Sequence, residues 1–458
     1  MTLSTADGGT VTARLARRLV ALRGAPLSPR AVTVARQCLL DWLGVTLAAR
    51  REPLVAILAD ELAPGDNAGD CTLIGLGRRA GLLDAALING AAGHALDFDD
   101  VISPMGHPTA PVAPAVLALA EVLGASGKAL VRAFITGLEA ECRISALMGP
   151  SHYAKGWHTT ATFGTFGAAA ACAELLGLDE TGLLHALGVA GTQAAGLKSV
   201  FGTMSKPLHA GKAAQNGLLA ARLAARGFTS CPDILGAVQG FADTQSSTVD
   251  RAAAEAERDQ PWVVEALFKY HAACYLTHNA IEAANALRCA HGIDPAAVEA
   301  VLIEVGNVHL GVCNIAAPRT GLECKFSLRM TCALALSGED TFDDALFSDK
   351  TAGRADLAAL CERTRVEPTA KGPATRVNVR LTDGRELVGE ADVAVPERDL
   401  PAQQARLERK FRLLTGDVLQ PQAAEDLVRL IADLDRQSDL GGLFARLSDG
   451  LRRERSRP

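Results

Sequence analysis

One histidine and three carboxylates stand close together in His94-Ala95-Leu96-Asp97-Phe98-Asp99-Asp100, at the end of a helical run. Like charges this near repel one another unless they hold a cation or shift their ionisation. The segment therefore reads as a solvated helix end, an oxygen-rich metal site of the Mg²⁺ type, or a place where protons are moved. A little further on comes Gly106-His107-Pro108-Thr109. An imidazole in a Gly/Pro loop is oriented yet accessible, and it titrates near neutrality, which suits acid–base work. Gly156-Trp157-His158-Thr159-Thr160 repeats the arrangement ahead of a charge-free run. In Gly202-Thr203-Met204-Ser205-Lys206-Pro207-Leu208-His209 a lysine and a histidine stand beside hydroxyls at a helix start. Such an end attracts carboxylates, although the same residues also serve for ordinary capping. The last cluster, Lys269-Tyr270-His271-Ala272-Ala273-Cys274-Tyr275-Leu276-Thr277-His278, lies where the character of the chain changes. No second cluster completes a metal ligand set there, and a hinge-side catalytic segment fits as well.

Other chemistries lack their motifs. There is no P-loop, no H-E-x-x-H and no G-x-S-x-G. Gly75-Leu76-Gly77-Arg78-Arg79-Ala80 imitates a dinucleotide fingerprint. That fingerprint needs a βαβ unit around it, and none is patterned here, so the segment reads as a loop before a helix. The eleven cysteines include no C-x-x-C pair, which argues against an iron–sulfur cluster and for reduced thiols in a cytoplasmic setting. With no basic start or apolar stretch, Met1 to Thr10 does not read as a signal peptide, and no run is apolar enough to span a membrane. Net charge is −6 and no basic stripe is interleaved with aromatics, so nucleic acid is not an expected partner. The Arg-rich end, Arg452 to Arg457, reads as a frayed tail.

Helices must carry these groups. The chain has 458 residues, 48% of them hydrophobic and only 4% aromatic, which suits many closely packed helices in more than one domain. Ser28-Pro29 is a helix start, and Val32, Ala35, Leu39, Leu43 and Leu47 follow at helical spacing. Further helical patterns cover Leu83–His94, Pro114–Leu123, Lys128–Leu147, Phe166–Leu176, Thr181–Ala190 and Ala213–Ala225. Val301, Ile303 and Val305 alternate as in a strand. Arg376 to Val388 reads as a hairpin turning on the two residues Asp383-Gly384. Helical stretches near Lys325–Leu336 and Ala355–Thr364 lie between them. The expected architecture is mainly α: a large all-helical domain over residues 1–265 with 396–458, and a smaller α+β lid over 266–395. No internal repeat is present.

Taken in order, AALINGAAGHALDFDD, GHPTAPVAPAVLALAE, GWHTTATFGTFGAAAA, FGTMSKPLHAGKAAQNG, FKYHAACYLTHNAIEAA and the CKFSLRMTCALAL block resemble the MmgE/PrpD family. The resemblance implies a cofactor-free and metal-free enzyme, usually a homodimer, acting on a small polycarboxylate through a carbanion beside a carboxylate. The family includes 2-methylcitrate dehydratases, cis-aconitate decarboxylases and an iminodisuccinate epimerase. A hydro-lyase is the expectation here, with epimerisation next and decarboxylation after it; a non-catalytic polycarboxylate-binding protein is the alternative of another class. By the resemblance, the catalytic positions are Asp97, His107, His158, Lys206 and Lys269. Thr203, Ser205, His209, Cys274, His278 and Lys325 are the expected substrate contacts. The decarboxylases of the family differ from this chain at three positions, with His at Cys274, Thr at Val101 and Tyr at Leu310.

Overall fold

Ser28 accepts a hydrogen bond from the Ala31 N–H at 3.1 Å and Pro29 takes the first helical position, so α1 (Pro29–Ala48) starts where side-chain capping and a preset φ both favour it. Of the expected apolar positions, Ala35, Leu39, Leu43 and Leu47 are buried, while Val32 is half-buried and Val34 stands in the core instead. A computed structural model describes residues 9–65, 69–370 and 374–451; residues 1–8 and the arginines from Arg452 to Arg457 lie outside the described residues. The chain divides into Met1–Phe268 with Asp399–Pro458, and Lys269–Arg398.

The first unit is a helical bundle built on α1, α2 (Leu82–Ala95), α3 (Thr109–Leu123), α4 (Gly127–Ala154), α5 (Thr159–Leu175), α6 (Glu180–Gly191) and α7 (Ser205–Ala224). Every residue of α5 from Thr159 to Ala173 is buried, so this charge-free run is a core helix. Small residues let backbones touch. A Cβ on Gly211 would lie 2.2 Å from the Leu87 carbonyl oxygen, and one on Gly90 would lie 2.8 Å from the Gly211 Cα. This contact brings the start of α7 beside the end of α2. A Cβ on Gly164 of α5 would lie 2.4 Å from Pro111 of α3, which sets the starts of those two helices side by side. The helices α3, α5 and α7 begin at Thr109, Thr159 and Ser205, ahead of the expected Pro114, Phe166 and Ala213. Their first turns, TAPV, TTAT and SKPL, are too poor in apolar residues to show a helical period.

The Gly75–Ala80 segment is not a loop before a helix. It belongs to an antiparallel hairpin of β1 (Cys71–Leu73) and β2 (Arg78–Ala80), with Leu73 opposite Arg78. Gly75 and Gly77 carry the positive φ angles, 77° and 62°, that the turn requires. The large unit is thus helical but for this ribbon. Beyond the second unit the chain adds helices Leu400–Thr415, Pro421–Ala432 and Gly441–Asp449 to the first. From the first of these, Lys410 is buried, with Nζ 2.6 Å from Asp41 and donating to the Phe98 carbonyl at 2.7 Å. Among the described residues no helix is long and apolar enough to cross a membrane.

The second unit holds a four-stranded sheet of β3 (Val298–Val305), β4 (Thr364–Pro368), β5 (Thr375–Leu381) and β6 (Glu386–Ala391), in the order β4-β3-β5-β6. The β3–β4 pair is parallel and the others antiparallel. Val301, Ile303 and Val305 are the buried face of β3, as alternation requires. The β5–β6 connection is one residue longer than expected. The Leu381 N–H donates to Arg385 and the Gly384 N–H to Leu381, both at 2.9 Å, leaving Thr382–Gly384 as the loop with Gly384 at φ 87°. A type I turn closed by a left-handed glycine makes such three-residue hairpins. The expected helix near Lys325–Leu336 is two pieces, Gly321–Lys325 and Leu328–Leu336, and that near Ala355–Thr364 ends at Glu362.

Candidate active site

The end of α2 and the starts of α3, α5 and α7 carry the candidate groups of the first unit. Asp97 follows the end of α2 with φ 51°, a conformation that L-residues avoid. Lys206, in the first turn of α7, places Nζ 2.8 Å from the Asp97 Oδ1. The His107 Nε2 lies 3.3 Å from the same oxygen. The loop bearing His107 is pinned to α5, because its backbone N–H donates to the Thr160 Oγ1 at 3.3 Å.

The other nitrogen of His107 faces a different carboxylate. Its Nδ1 is 3.0 Å from the Asp99 Oδ2, approached off the N–H axis, so the contact is electrostatic more than a directed hydrogen bond. Asp99 also accepts from the His94 Nδ1, at 3.0 Å and 3.2 Å to its two oxygens. Burial alone would raise the Asp99 carboxyl, but the His107 and His94 imidazoles outweigh it and hold the acid well below its usual range. Burial pushes His94 down to about 4 against the opposing pull of Asp99, so at neutral pH its ring is uncharged. The rings of His94 and His107 meet edge-on at 4.6 Å.

His158 immediately precedes α5 and is buried. Its Nδ1 is 3.1 Å from the Nδ1 of His209, so one ring donates and the other accepts. Burial above all, with the nearby His94 and Lys206 adding to it, pushes His158 down to about 2. Phe201 packs edge-on against this ring at 5.0 Å.

Asp97, His107, His158, Lys206 and His209 are thus brought together as one linked set. Thr203 shapes the turn into α7: its hydroxyl donates to the Val200 carbonyl at 2.7 Å and accepts from the Ser205 N–H at 3.2 Å. Ser205 opens the helix and is exposed. Two members of the network, His94 and Asp99, were part of the flagged segment without being assigned a role. The three carboxylates of that segment have different partners. Asp97 meets Lys206 and His107, while Asp99 meets two imidazoles. Asp100 accepts from the Thr109 hydroxyl at 2.9 Å, and burial with Asp41 raises it well above the carboxylate range.

Among the described residues, His94, Asp97, Asp99 and His107 form a group whose ligand atoms lie within 4.8 Å of one another and could hold a metal ion. Two nitrogens and two oxygens would suit Zn²⁺ better than Mg²⁺. The Lys206 ammonium already stands on Asp97, and two imidazoles stand on Asp99. A cavity of about 820 Å³ elsewhere in this unit, between the helix Val11–Gly24 and Ala254–Pro261, contains none of these residues. Its Arg14 and Arg18 are matched by Glu255 and Glu257, each at 2.6 Å.

In the second unit, Lys269 is buried. Cys274 donates its backbone N–H to the Lys325 carbonyl at 3.0 Å. His278 starts the helix His278–His291, with Nε2 3.2 Å from the Ala273 carbonyl; burial and then His271 push it well below its usual value. His271 lies between Thr341 at 2.8 Å and Glu282 at 3.1 Å. The Lys325 ammonium pairs with Asp344 of the same unit, while its backbone holds the Cys274 segment.

An ammonium, a strained carboxylate and adjoining imidazoles are groups from which an acid–base site with a fixed cation can be built. The chain belongs to the MmgE/PrpD family: the MmgE/PrpD N-terminal domain matches residues 13–252 and the MmgE/PrpD C-terminal domain residues 271–436. It is 28% identical over 376 residues to the cis-aconitate decarboxylase of Homo sapiens, covering 78% of this chain and 77% of that one. It is also 28% identical over 453 residues to the cis-aconitate decarboxylase of Aspergillus terreus, covering 90% and 91%. The cis-aconitate decarboxylase-like protein oryM of Aspergillus oryzae is 27% identical over 477 residues, covering 97% and 98%.

Proposed function

We propose that the chain is a lyase of small polycarboxylates that works through a carbanion beside a carboxylate, with loss of water as its reaction. The observation that carries this reading is the Lys206–Asp97–His107 linkage, in which one ammonium and one imidazole meet at a single carboxylate oxygen. Removing a proton next to a carboxylate spreads negative charge onto it, and a cation already fixed in place stabilises that charge without having to reorganise. Lys206 is the cation of the first unit and Lys269 that of the second. A substrate carboxylate exchanges with Asp97 at the Lys206 ammonium. His107 transfers the proton. Burial keeps His158 neutral near pH 7, which suits a hydrogen-bonding contact to substrate more than a proton donor. The departing hydroxyl leaves as water once an acid protonates it.

Decarboxylation is the second reading, supported by the names of the relatives. Cys274, Val101 and Leu310, where the family's decarboxylases have His, Thr and Tyr, weigh against it. The same family reading carries homodimerisation, which light scattering on the purified protein tests. The activity is tested by incubating the protein in D₂O with citrate-like, aconitate-like and aspartate-derived acids and following proton NMR. Water loss or addition at the expected carbons supports the reading. Loss of CO₂ alone would replace it with decarboxylation, and deuterium exchange with inversion alone would replace it with epimerisation.

A further inference from the structure

Asp99 is fully buried, where a carboxylate needs partners for both oxygens. One partner is His94, whose Nδ1 donates to it. His94 then has a single proton, on Nδ1, and among the described residues its buried Nε2 meets no hydrogen-bond partner. The other partner is the Nδ1 of His107, on the side of the ring opposite the Nε2 that meets Asp97. His107 is therefore spanned: one nitrogen faces a buried carboxylate, and the other faces the exposed one beside Lys206.

The geometry points to Asp99 as the positioning residue for His107, and to His94 as the anchor that holds Asp99 in place. A carboxylate at Nδ1 keeps a proton there, so the proton that His107 gives up and takes back is the one on Nε2, on the side of Asp97 and Lys206. The edge-on His94 ring, 4.6 Å from that of His107, limits how His107 turns. In a resting enzyme such contacts are often misaligned and tighten when substrate binds, in keeping with the off-axis approach seen here. The inference rests on the reading of His107 as the proton-transfer group.

The test combines substrate-free spectroscopy with kinetics. In protein labelled with ¹⁵N-histidine, His107 should show its proton on Nδ1. Asp99→Asn offers an oxygen to one imidazole and an amide N–H to the other, so one ring must move its proton to Nε2. On the substrate found above, kcat should fall about 10- to 100-fold, the range for a lost orienting partner, with a smaller change in KM and a shifted limb of the pH–rate profile. Asp99→Glu should recover part of the loss. A folded Asp99→Asn protein with wild-type nitrogen shifts, kcat and pH limb would overturn the inference. If Asp99→Asn does not fold, His94→Leu and His94→Asn decide. The first removes the donor to Asp99 and should lower kcat; the second keeps an N–H and should lose less. Equal activity of both with the wild type would also overturn it. If no acid in the panel is turned over, the activity reading fails, while the nitrogen spectra still decide the role of Asp99.

Discussion

The Lys206 ammonium and the Asp97 carboxylate are 2.8 Å apart although 109 positions separate them in sequence, and Asp97 adopts a left-handed backbone conformation at this contact. An exposed pair of this kind adds little to stability, so its value lies in placing a cation. Lys206→Ala should lower kcat/KM by roughly 30- to 1,000-fold, or about 2–4 kcal/mol of transition-state stabilisation. Its melting temperature should stay near that of the wild type. Lys269→Ala should show a comparable kinetic loss. Steady-state kinetics beside thermal melts check both.

His107→Gln keeps size and some hydrogen bonding but cannot titrate near neutrality. It should reduce kcat by about 10²- to 10⁴-fold, change KM little and remove one limb of the pH–rate profile. A raised KM with kcat and both limbs intact would make His107 a binding group.

Acid should destabilise the fold through histidines that are buried neutral. Burial lowers His94 to about 4, His152 to about 4 and His158 to about 2. The unfolded chain takes up these protons near pH 6.5, while the folded chain refuses them until far lower pH. Their contribution is therefore present above about pH 6.5 and is lost as pH falls toward 4. Outside the site, His152 bonds Thr162 at 2.8 Å and the Gln245 carbonyl at 3.1 Å. His152→Gln should flatten the fall in melting temperature over that window, read by calorimetry.

Glu141 has the opposite sign. Fully buried in α4, with no hydrogen-bond partner for either oxygen among the described residues, it is raised well above the carboxylate range by burial and by Asp100. The fold holds its proton where the unfolded chain releases it, so stability is complete below the unfolded value and is lost as pH rises. In Glu141→Gln that loss disappears. The stability gap between variant and wild type should change in the variant's favour by about 1.4 kcal/mol per pH unit above pH 5. Urea melts at several pH values measure it; a constant gap would mean that Glu141 is ionised in the fold.

Gly211→Ala would drive a methyl group against the Leu87 backbone oxygen, 2.2 Å away. Overpacking of this kind costs about 1–3 kcal/mol, and here it would also part α2 from α7, which carry Asp97 and Lys206. Both stability and kcat should drop. A loss of stability with unchanged kinetics would show that the Lys206–Asp97 contact tolerates the shift.

Much of this was legible along the chain. The core of α1 and the buried length of α5 follow from apolar spacing and an absence of charge, and Asp97, His107, His158, Lys206 and His209 fall together from segments that looked unrelated. The helix starts were harder to read, because Thr109, Thr159 and Ser205 open turns that have no apolar period. The hairpin around Gly75–Ala80 was hidden by its glycines, which serve a loop and a turn alike. His94 and Asp99 stood in a flagged segment, but sequence gives no direction to a side chain, so three neighbouring carboxylates could not be told apart. Glu141 carried no signal at all, since a carboxylate in a helix is ordinarily on its surface.

Lys410 bonds the Phe98 carbonyl across 312 residues of sequence. Phe98 lies between Asp97 and Asp99, so the acidic loop is braced by a side chain that leaves the ribosome 312 residues after it. At synthesis rates of roughly 5–20 residues per second, a nascent chain carries its histidines and acids for many seconds before that brace exists. Catalytic competence should therefore arrive late and abruptly, and chains released before residue 410 should be inert even with every catalytic residue present.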